Sequence, residues 1–457
     1  MTQRARAVKG KREGREVSAA RRAAFEILRR VEEEGSFAAP LLATATGALQ
    51  PDDRGLCYEL VLGVLRRRLW LDRAIEHFAG RAVDKLDPPA LRALRLGLYQ
   101  LRFLSRVPAR AAVNESVNLA HLHRLRSAAP FINAVLRRAT RETEFDPSTL
   151  TSDPLEKIAV GTSHPLWLVR RWAAEFGAAD AEAFARANNE PSPASFRVNS
   201  LKEGSESVLE RLRAAGLGVE PSRIAPGAFR AGGDAAGAAL RALAAEGFVY
   251  LQDEASQLVA HVLGAGAGER VLDACAAPGS KTTQIAALAE DGARVVAGDL
   301  HEHRLRIVEE ACARLGVGGV RTVALDALAG LPFEDGAFDR VLVDAPCTGT
   351  GTLRHNPEIR WRLRPEDIAE LSKVQRGILS EAARVVRPGG RLVYSTCSVE
   401  KDENEAVVAS FLDSRADFKR VKASPAPDSV LLPDGSARTW PQRDDADGFY
   451  VAALTRE

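Results

Sequence analysis

The sequence predicts a multidomain protein made of an all-α helical bundle, a small α/β subdomain and a Rossmann-like, doubly wound α/β domain. Three observations carry this prediction. Between residues 17 and 143 the apolar residues recur with a helical period and the connections are short, as in a bundle. Residues 144–245 are rich in proline at first and then show mixed strand and helix patterns. From residue 270 onward, short apolar strands alternate with helices at the spacing of a parallel sheet.

Composition narrows the class of protein. Of the 457 residues, 46% are hydrophobic and 27% are charged, which is ordinary for a soluble globular chain. No apolar run of about 18 residues is present and the N-terminus lacks an apolar signal region, so we expect neither a membrane span nor secretion. The five cysteines form no C-x-x-C pair. We therefore expect a cytoplasmic protein with no metal site and no disulfide framework.

The charge is divided unevenly along the chain. Residues 1–145 hold 27 Lys and Arg against 16 Asp and Glu, while the remainder holds 36 against 45. A basic first third suggests an anionic macromolecular partner, although a well-solvated helical surface is the alternative. Residues 1–16 are basic with almost no apolar residues, so they predict a disordered arm. Such an arm can hold phosphates or merely aid solubility.

The helical part is interpreted as a binding module, since it contains no acid/base pair and no metal constellation. The periodicity predicts helices over 18–30, 52–69, 71–79, 88–104, 109–124 and 130–141. A basic face is predicted from Arg66, Arg67, Arg68, Arg124, Arg126, Arg137 and Arg138. The next region predicts a helix over 165–188, strands over 195–200 and 217–222, a helix over 204–215 and a flexible insertion over 231–245.

The last domain, residues 246–457, opens with a helix over 253–264. The alternation then predicts strands near 270–274, 294–298, 320–325, 338–343 and 391–396, with helices near 280–290, 302–315 and 366–386. The run 448–454 is interpreted as an edge strand.

Functional side chains are expected where these strands end. Cys347 follows the strand 338–343 in the run Asp344–Gly351, and Cys397 follows the strand 391–396. Ligands bind at the carboxyl ends of strands in open α/β sheets. The spacing does not choose between the two cysteines as a nucleophile.

The first strand of the sheet ends in a loop of small residues, Asp273–Thr282. The loop lacks both the G-x-x-x-x-G-K-[ST] spacing of a P-loop and the G-x-G-x-x-G of a dinucleotide site. Asp299 and Asp326 end the next two strands, and such acids suit ribose hydroxyls and an adenine amino group. A helix N-cap is the alternative for each acid alone. Together they predict an adenosine cofactor without a phosphate chain.

The motifs Asp273–Thr282, Asp344–Gly351 and Ser395–Ser398 resemble the S-adenosylmethionine, Pro-Cys and Thr-Cys motifs of RNA cytosine-5 methyltransferases. The helical part resembles the NusB-like RNA-binding domain of the RsmB branch, whose members act on 16S ribosomal RNA. Arg197–Asn199 and Gln252–Ser256 extend the resemblance over nearly the whole chain after residue 16. Two positions depart from the family pattern, namely Ser280, where a second glycine is usual, and Thr348, where serine is common.

The resemblance implies an enzyme that makes 5-methylcytosine in 16S ribosomal RNA with S-adenosyl-L-methionine, and we expect it to act as a monomer. It implies that Cys397 attacks cytosine, that Cys347 assists release of the adduct and that Asp344 binds the cytosine edge. The implied cofactor-binding residues are Cys275, Ala276, Ala277, Pro278, Gly279, Ser280, Lys281, Asp299, Asp326 and Asp344. A plain surface lysine is the alternative for Lys281, and Cys57 and Cys312 are interpreted as packing residues.

The segment after the Pro-Cys motif is predicted to contact RNA through Arg354, His355, Arg360, Trp361, Arg362 and Arg364. Two alternatives to the whole hypothesis stay open at this point. One is a transfer RNA substrate for the same chemistry. The other is a non-catalytic RNA-binding or antitermination factor that retains an inactive methyltransferase fold.

Overall fold

The computed structural model describes residues 17–47, 49–123, 127–232 and 236–457. The predicted basic arm over 1–16 lies outside these residues, as do Arg124 and Arg126 of the predicted basic face. The chain divides into two compact units. The first contains the residues up to Asn189 together with His355–Trp361, and the second contains Glu190–Arg354 and Arg362–Glu457.

The first unit is all helical, as predicted. Its helices are α1 (Ala19–Glu33), α2 (Ala38–Ala45), α3 (Pro51–Arg66), α4 (Arg68–Ala79), α5 (Pro88–Phe103), α6 (Ala109–Leu122), α7 (Ala129–Ala139), α8 (Pro154–Thr162), α9 (Leu166–Phe176) and α10 (Ala178–Ala187). Helix α2 was not predicted, although its Leu42 is fully buried. The single helix predicted over 165–188 is wrong, because the chain breaks at Gly177 into α9 and α10.

The second unit begins with a small sheet. Its elements are β1 (Ala194–Val198), α11 (Ser205–Ala214), β2 (Gly218–Pro221), β3 (Ala228–Gly232), α12 (Ala236–Glu246) and β4 (Val249–Leu251). The strand order is β2-β3-β1-β4 and every pairing is antiparallel. The flexible insertion predicted over 231–245 is wrong, because α12 buries Leu240 and Leu243 in the apolar core beside this sheet.

The remaining elements form the large α/β domain, except that one short helix, α16 (Ile359–Arg362), belongs to the first unit up to Trp361. They are α13 (Glu254–Leu263), β5 (Arg270–Asp273), α14 (Ser280–Leu288), β6 (Arg294–Asp299), α15 (Glu302–Leu315), β7 (Val320–Ala324), β8 (Phe338–Asp344), α16 (Ile359–Arg362), α17 (Pro365–Arg384), β9 (Val386–Thr396), α18 (Glu405–Ser414), β10 (Phe418–Val421), β11 (Ala437–Arg438), α19 (Pro441–Asp444) and β12 (Tyr450–Arg456). Strands β7-β6-β5-β8-β9 run parallel in that spatial order.

The sheet is mixed rather than wholly parallel. Strand β12 pairs antiparallel with both β9 and β10, so the prediction of an edge strand at 448–454 is wrong. Helices cover both faces: Leu342 and Val393 pack with α13 and α14, while Val341 and Leu392 pack with α17 and α18. The loops that follow the five parallel strands therefore leave the sheet at one edge.

Candidate active site

The two strand-end cysteines lie side by side. Strands β8 and β9 are parallel neighbours in which Asp344 pairs with Ser395, so the loops that follow them leave the sheet together. The Sγ atoms of Cys347 and Cys397 are 3.4 Å apart. This distance is within reach of an S–H···S hydrogen bond, and either sulfur can be the donor.

A close backbone approach holds the two loops together. The Gly351 N–H donates to the Cys397 carbonyl over 2.9 Å, and the Gly448 N–H donates to the Gly351 carbonyl over 2.8 Å. A Cβ atom at position 351 would overlap the Gly448 carbonyl, so only glycine fits there. The glycine-rich run after Cys347 thus allows its backbone to pack closely against the Cys397 loop, which we define as residues 397–400.

A buried ion pair lies beside the thiols. The Lys281 Nζ atom donates to Asp344 Oδ2 over 2.7 Å, and the Ser395 hydroxyl donates to Asp344 Oδ1 over 2.8 Å. Lys281 is only 7% exposed, which excludes the alternative of a plain surface lysine. Burial by itself lowers the pKa of Lys281, but the Asp344 carboxylate outweighs it and raises this pKa. Lys281 is therefore a cation held at the sheet edge.

The environment distinguishes the two thiols. The hydrogen bond with Cys397, burial, and the negative charges of Cys397 and Glu403 raise the pKa of Cys347 well above that of an ordinary thiol. Two adjacent thiolates would repel, so the pair carries at most one charge near neutral pH. Cys347 therefore keeps its proton, and the Lys281 ammonium group lies within electrostatic reach of Cys397.

A cavity of about 380 Å³ opens at the same edge. Its lining includes seven of the residues predicted for the site: Cys275, Ala277, Asp299, Asp326, Asp344, Cys347 and Cys397. Leu300 and Leu328 also line it, and they are 59% and 48% exposed. Carboxylates beside exposed apolar side chains fit the hydroxyls and the flat purine of an adenosine group. The structure does not place Ala276, Pro278, Gly279, Ser280 or Lys281 in the lining.

Asp299 organises the loop after β5. Its carboxylate accepts from the Ala277 N–H over 3.3 Å and pairs with Arg304 over 3.4 Å. Gly279 has φ +96°, and a Cβ there would lie 3.1 Å from the Val308 Cα, so this position requires glycine. Ser280 begins α14 and does not lie in the left-handed region, so the serine brings no backbone strain.

Sequence reasoning missed Glu403, which is fully buried beside the thiol pair. It accepts from the Thr348 N–H over 2.9 Å and from the Gln375 amide over 2.9 Å. It also accepts from the hydroxyl of Ser398. The run Glu400–Asn404 is polar and contains three buried side chains, a signal visible only once burial is known.

The predicted RNA contacts at Arg354 and Arg360 are wrong, because both side chains are buried, at 3% and 0% exposure. Arg354 donates to the Pro191 carbonyl over 2.6 Å, and Arg360 donates to Asn189 Oδ1 over 2.9 Å. The Trp361 indole N–H donates to a backbone carbonyl of α3 over 2.8 Å. These groups hold the local chain in place, which leaves them unable to reach phosphates.

The described residues contain neither a membrane-spanning helix nor a metal-binding group of side chains. Over 17–47, 49–123, 127–232 and 236–457, no helix has the length and apolar character needed to cross a membrane. Within the same ranges, no three His, Cys, Asp or Glu side chains are grouped so that they could hold a metal ion.

Comparison with known families divides the chain into three matching regions. Residues 18–141 match the NusB family, and residues 164–232 match a ferredoxin-like domain described as Methyltr_RsmF/B-like. Residues 260–455 match the family described as 16S rRNA methyltransferase RsmB/F.

Similar proteins span nearly the full length of the chain. The probable ribosomal RNA small subunit methyltransferase B of Bacillus subtilis is 36% identical over 95% of this chain and 98% of its own. Ribosomal RNA small subunit methyltransferase B of Pseudomonas syringae is 34% identical over 91% and 92%. Among solved structures, the crystal structure of PH0851 covers 97% of this chain and 100% of its own, with 28% identity and a TM-score of 0.82.

Proposed function

The chain belongs to the 16S rRNA methyltransferase RsmB/F family, and from that premise we propose that it methylates carbon 5 of a cytosine in 16S ribosomal RNA through a covalent cysteine adduct. The observation that carries the proposal is the pair of thiols 3.4 Å apart at the ends of β8 and β9. A methyltransferase acting on an oxygen or an amino nitrogen needs no such pair, whereas carbon 5 of cytosine does need a nucleophilic catalyst.

The reaction follows from the chemistry of the ring. The Cys397 thiolate bonds to carbon 6, and the electrons of the 5,6 double bond move onto carbon 5. Bound S-adenosylmethionine would supply the methyl group to carbon 5 from its sulfonium, whose sulfur would leave as a neutral thioether. Loss of the carbon 5 proton re-forms the double bond and expels the Cys397 thiolate. The target base must leave its stack to reach the strand ends.

The charges around the pair support Cys397 as the nucleophile and Cys347 as the group that assists release. The first cause of the raised Cys347 pKa is its hydrogen bond with Cys397. Once Cys397 is bound to carbon 6 as a thioether, it carries no charge and no longer needs that proton. Cys347 then loses its proton to solvent more easily, and the resulting thiolate can accept the proton that leaves carbon 5.

The Lys281–Asp344 pair supports recognition of the base. Asp344 accepts from Lys281 and Ser395 and still lines the cavity, so an oxygen lone pair remains for the cytosine edge. The cationic Lys281 favours negative charge on Cys397.

The cavity supports S-adenosylmethionine as the methyl donor. We assign the ribose hydroxyls and the adenine amino group to Asp299 and Asp326, and the purine faces to Leu300 and Leu328. Cys275 and Ala277 line the same cavity, and contact of the other residues of 275–281 with the cofactor stays a prediction from the sequence. Homologues named for ribosomal RNA, together with the NusB match over 18–141, favour ribosomal over transfer RNA as the substrate.

The test is methyl transfer from labelled S-adenosylmethionine to unmodified small-subunit rRNA, with transfer RNA assayed in parallel. We expect transfer by the wild type and none by Cys397→Ala. Cys347→Ala should leave a protein–RNA adduct that survives denaturing electrophoresis. Cys312→Ala is the matched control, because Cys312 lies in α15 and does not line the cavity.

Each other outcome has a definite meaning. An adduct with Cys397→Ala rather than Cys347→Ala would reverse the roles of the two thiols. Transfer to transfer RNA alone would change the substrate. RNA binding without transfer to either RNA would favour the non-catalytic factor.

A further inference from the structure

Glu403 gathers four hydrogen bonds onto one buried carboxylate. It lies in a short helical turn, Lys401–Glu403, six residues beyond Cys397, and is 0% exposed. The N–H and hydroxyl of Thr348 donate to it over 2.9 Å and 2.5 Å, and the Gln375 amide donates over 2.9 Å. The hydroxyl of Ser398 is the fourth donor.

These donors come from three separate parts of the domain. Thr348 follows Cys347 directly, Ser398 follows Cys397 directly, and Gln375 belongs to α17. One carboxylate therefore fixes the residue next to each thiol. The Tyr394 hydroxyl donates to the Glu403 carbonyl over 2.5 Å, which anchors the turn to β9 as well.

We propose that Glu403 is a positioning residue of the methyl-transfer reaction, which holds the Cys347 loop (residues 347–351) and the Cys397 loop in register and keeps the proton of the thiol pair on Cys347. The inference rests on the proposed function for its catalytic meaning. The effect of Glu403 on the reactivity of the two thiols can nevertheless be measured without RNA or methyl donor.

The donor set suits a carboxylate. An ionised carboxylate is an acceptor only, and its oxygens can take all four donors. Burial raises the pKa of Glu403, and the four donors oppose that rise. In Glu403→Gln the amide oxygen can accept from the two N–H donors and the amide N–H₂ can donate to the two hydroxyls, so the substitution removes the charge and keeps the contacts.

The charge of Glu403 acts on the Cys347 thiol. It is among the causes that raise the Cys347 pKa, after the hydrogen bond and charge of Cys397 and burial. The other titratable groups facing the thiols are Asp344 on β8, Lys281 on α14 and Tyr394 on β9. Of this set, only Glu403 bonds to the neighbours of both cysteines.

The experiment measures alkylation of each thiol by iodoacetamide in the full-length protein across pH 6 to 10, with peptide mass spectrometry to separate Cys347 from Cys397. In the wild type we expect Cys397 to react first. In Glu403→Gln we expect the pH midpoint of Cys347 to fall by about one unit, which is about a tenfold rise in its thiolate fraction at neutral pH. Glu403→Asp keeps the charge and should restore the preference for Cys397.

Glu405→Gln is the matched control, since Glu405 pairs with Arg438 at 2.8 Å and, among the described residues, bonds to neither cysteine loop. It should leave both midpoints at their wild-type values. Equal midpoints for Glu403→Gln and the wild type would overturn the proposal, as would a Glu403→Asp variant that behaves like Glu403→Gln.

If Glu403→Gln does not fold, Thr348→Ala is measured in the same way. It removes one donor while leaving the charge, so it loosens the Cys347 loop and should lower the Cys347 midpoint by a smaller amount. An unchanged midpoint would overturn the positioning role. Because alkylation needs no RNA, a wild type that fails to transfer methyl groups would count against the proposed function and leave this test intact.

Discussion

At the scale of single residues, the environment gives neighbouring acids different properties. Asp344 is ion-paired with Lys281 and lines the cavity. Asp273 ends β5 one strand away, is 1% exposed, and accepts from the Thr282 hydroxyl over 2.7 Å. Burial raises the pKa of Asp273 to about 7, with the Asp344 charge adding to the rise and Thr282 opposing it. Ionisation of Asp273 is therefore less favourable in the folded protein than in the unfolded chain.

Asp273 should make the stability of the protein fall as the pH rises from about 4 to about 7. In that range the unfolded chain loses the Asp273 proton while the folded chain keeps it, because the folded pKa is the higher one. The loss approaches about 4 kcal/mol above pH 7, where both states are ionised. The measurement is the free energy of unfolding in urea at pH 5 and pH 8 for the wild type and Asp273→Asn.

We expect the wild type to lose stability relative to Asp273→Asn between these two pH values. Asp326→Asn is the control for the loss of one carboxylate, because Asp326 is exposed. If the difference in unfolding free energy between the wild type and Asp273→Asn is the same at both pH values, Asp273 has the same pKa in the folded and unfolded chains, which contradicts the prediction.

At the scale of elements, the helical unit is held by charges as well as by apolar packing. Arg95 on α5 is 4% exposed and donates to both oxygens of Asp72 on α4, over 2.7 Å and 2.8 Å. It also donates to Glu32 on α1 over 2.8 Å. The planar guanidinium group of Arg95 bonds to two carboxylates at once, so this one side chain links α1, α4 and α5.

Arg95→Ala should destabilise the protein by about 3 kcal/mol, because the largely buried Asp72 and Glu32 lose the cation they share and keep only Arg68 at 4.0 Å and Arg92 at 2.9 Å. Arg73→Ala is the matched control, since the Arg73 side chain is 48% exposed and pairs with Glu76 at 3.3 Å. It should cost less than about 1 kcal/mol. Urea unfolding followed by far-UV circular dichroism measures both, and equal losses would contradict the assignment.

At the scale of the whole molecule, the charge is segregated along the chain. Residues 1–145 have 27 basic against 16 acidic residues, and residues 1–16 alone include Arg4, Arg6, Lys9, Lys11, Arg12 and Arg15. When such side chains bind RNA phosphates they release counterions, which makes the affinity depend on salt.

Removal of residues 1–16 should weaken rRNA binding and reduce its salt dependence. For each phosphate that the shortened chain no longer neutralises, the slope of log K against log salt should become shallower by about 0.7 to 0.9. Fluorescence anisotropy between about 50 and 200 mM KCl measures the slope for the full chain and for residues 17–457. The methyl-transfer rate at saturating RNA should stay the same, and identical slopes would assign the arm no role in binding.

The sequence by itself determined the order of the domains and the position of the reactive groups. Strand and helix periods are local, and parallel strands end at one edge of a sheet, so acids and thiols at strand ends are predicted to meet. The motifs then indicate the family, which the comparisons confirm.

Only the tertiary structure decided how those groups act on one another. The 3.4 Å between Cys347 and Cys397, the proton kept by Cys347 and the convergence on Glu403 depend on contacts between segments distant in the chain. The same holds for β12 lying inside the sheet rather than at its edge, and for the burial of Arg360. Burial and strand pairing are properties of the packed molecule, and local residue patterns carry no measure of either.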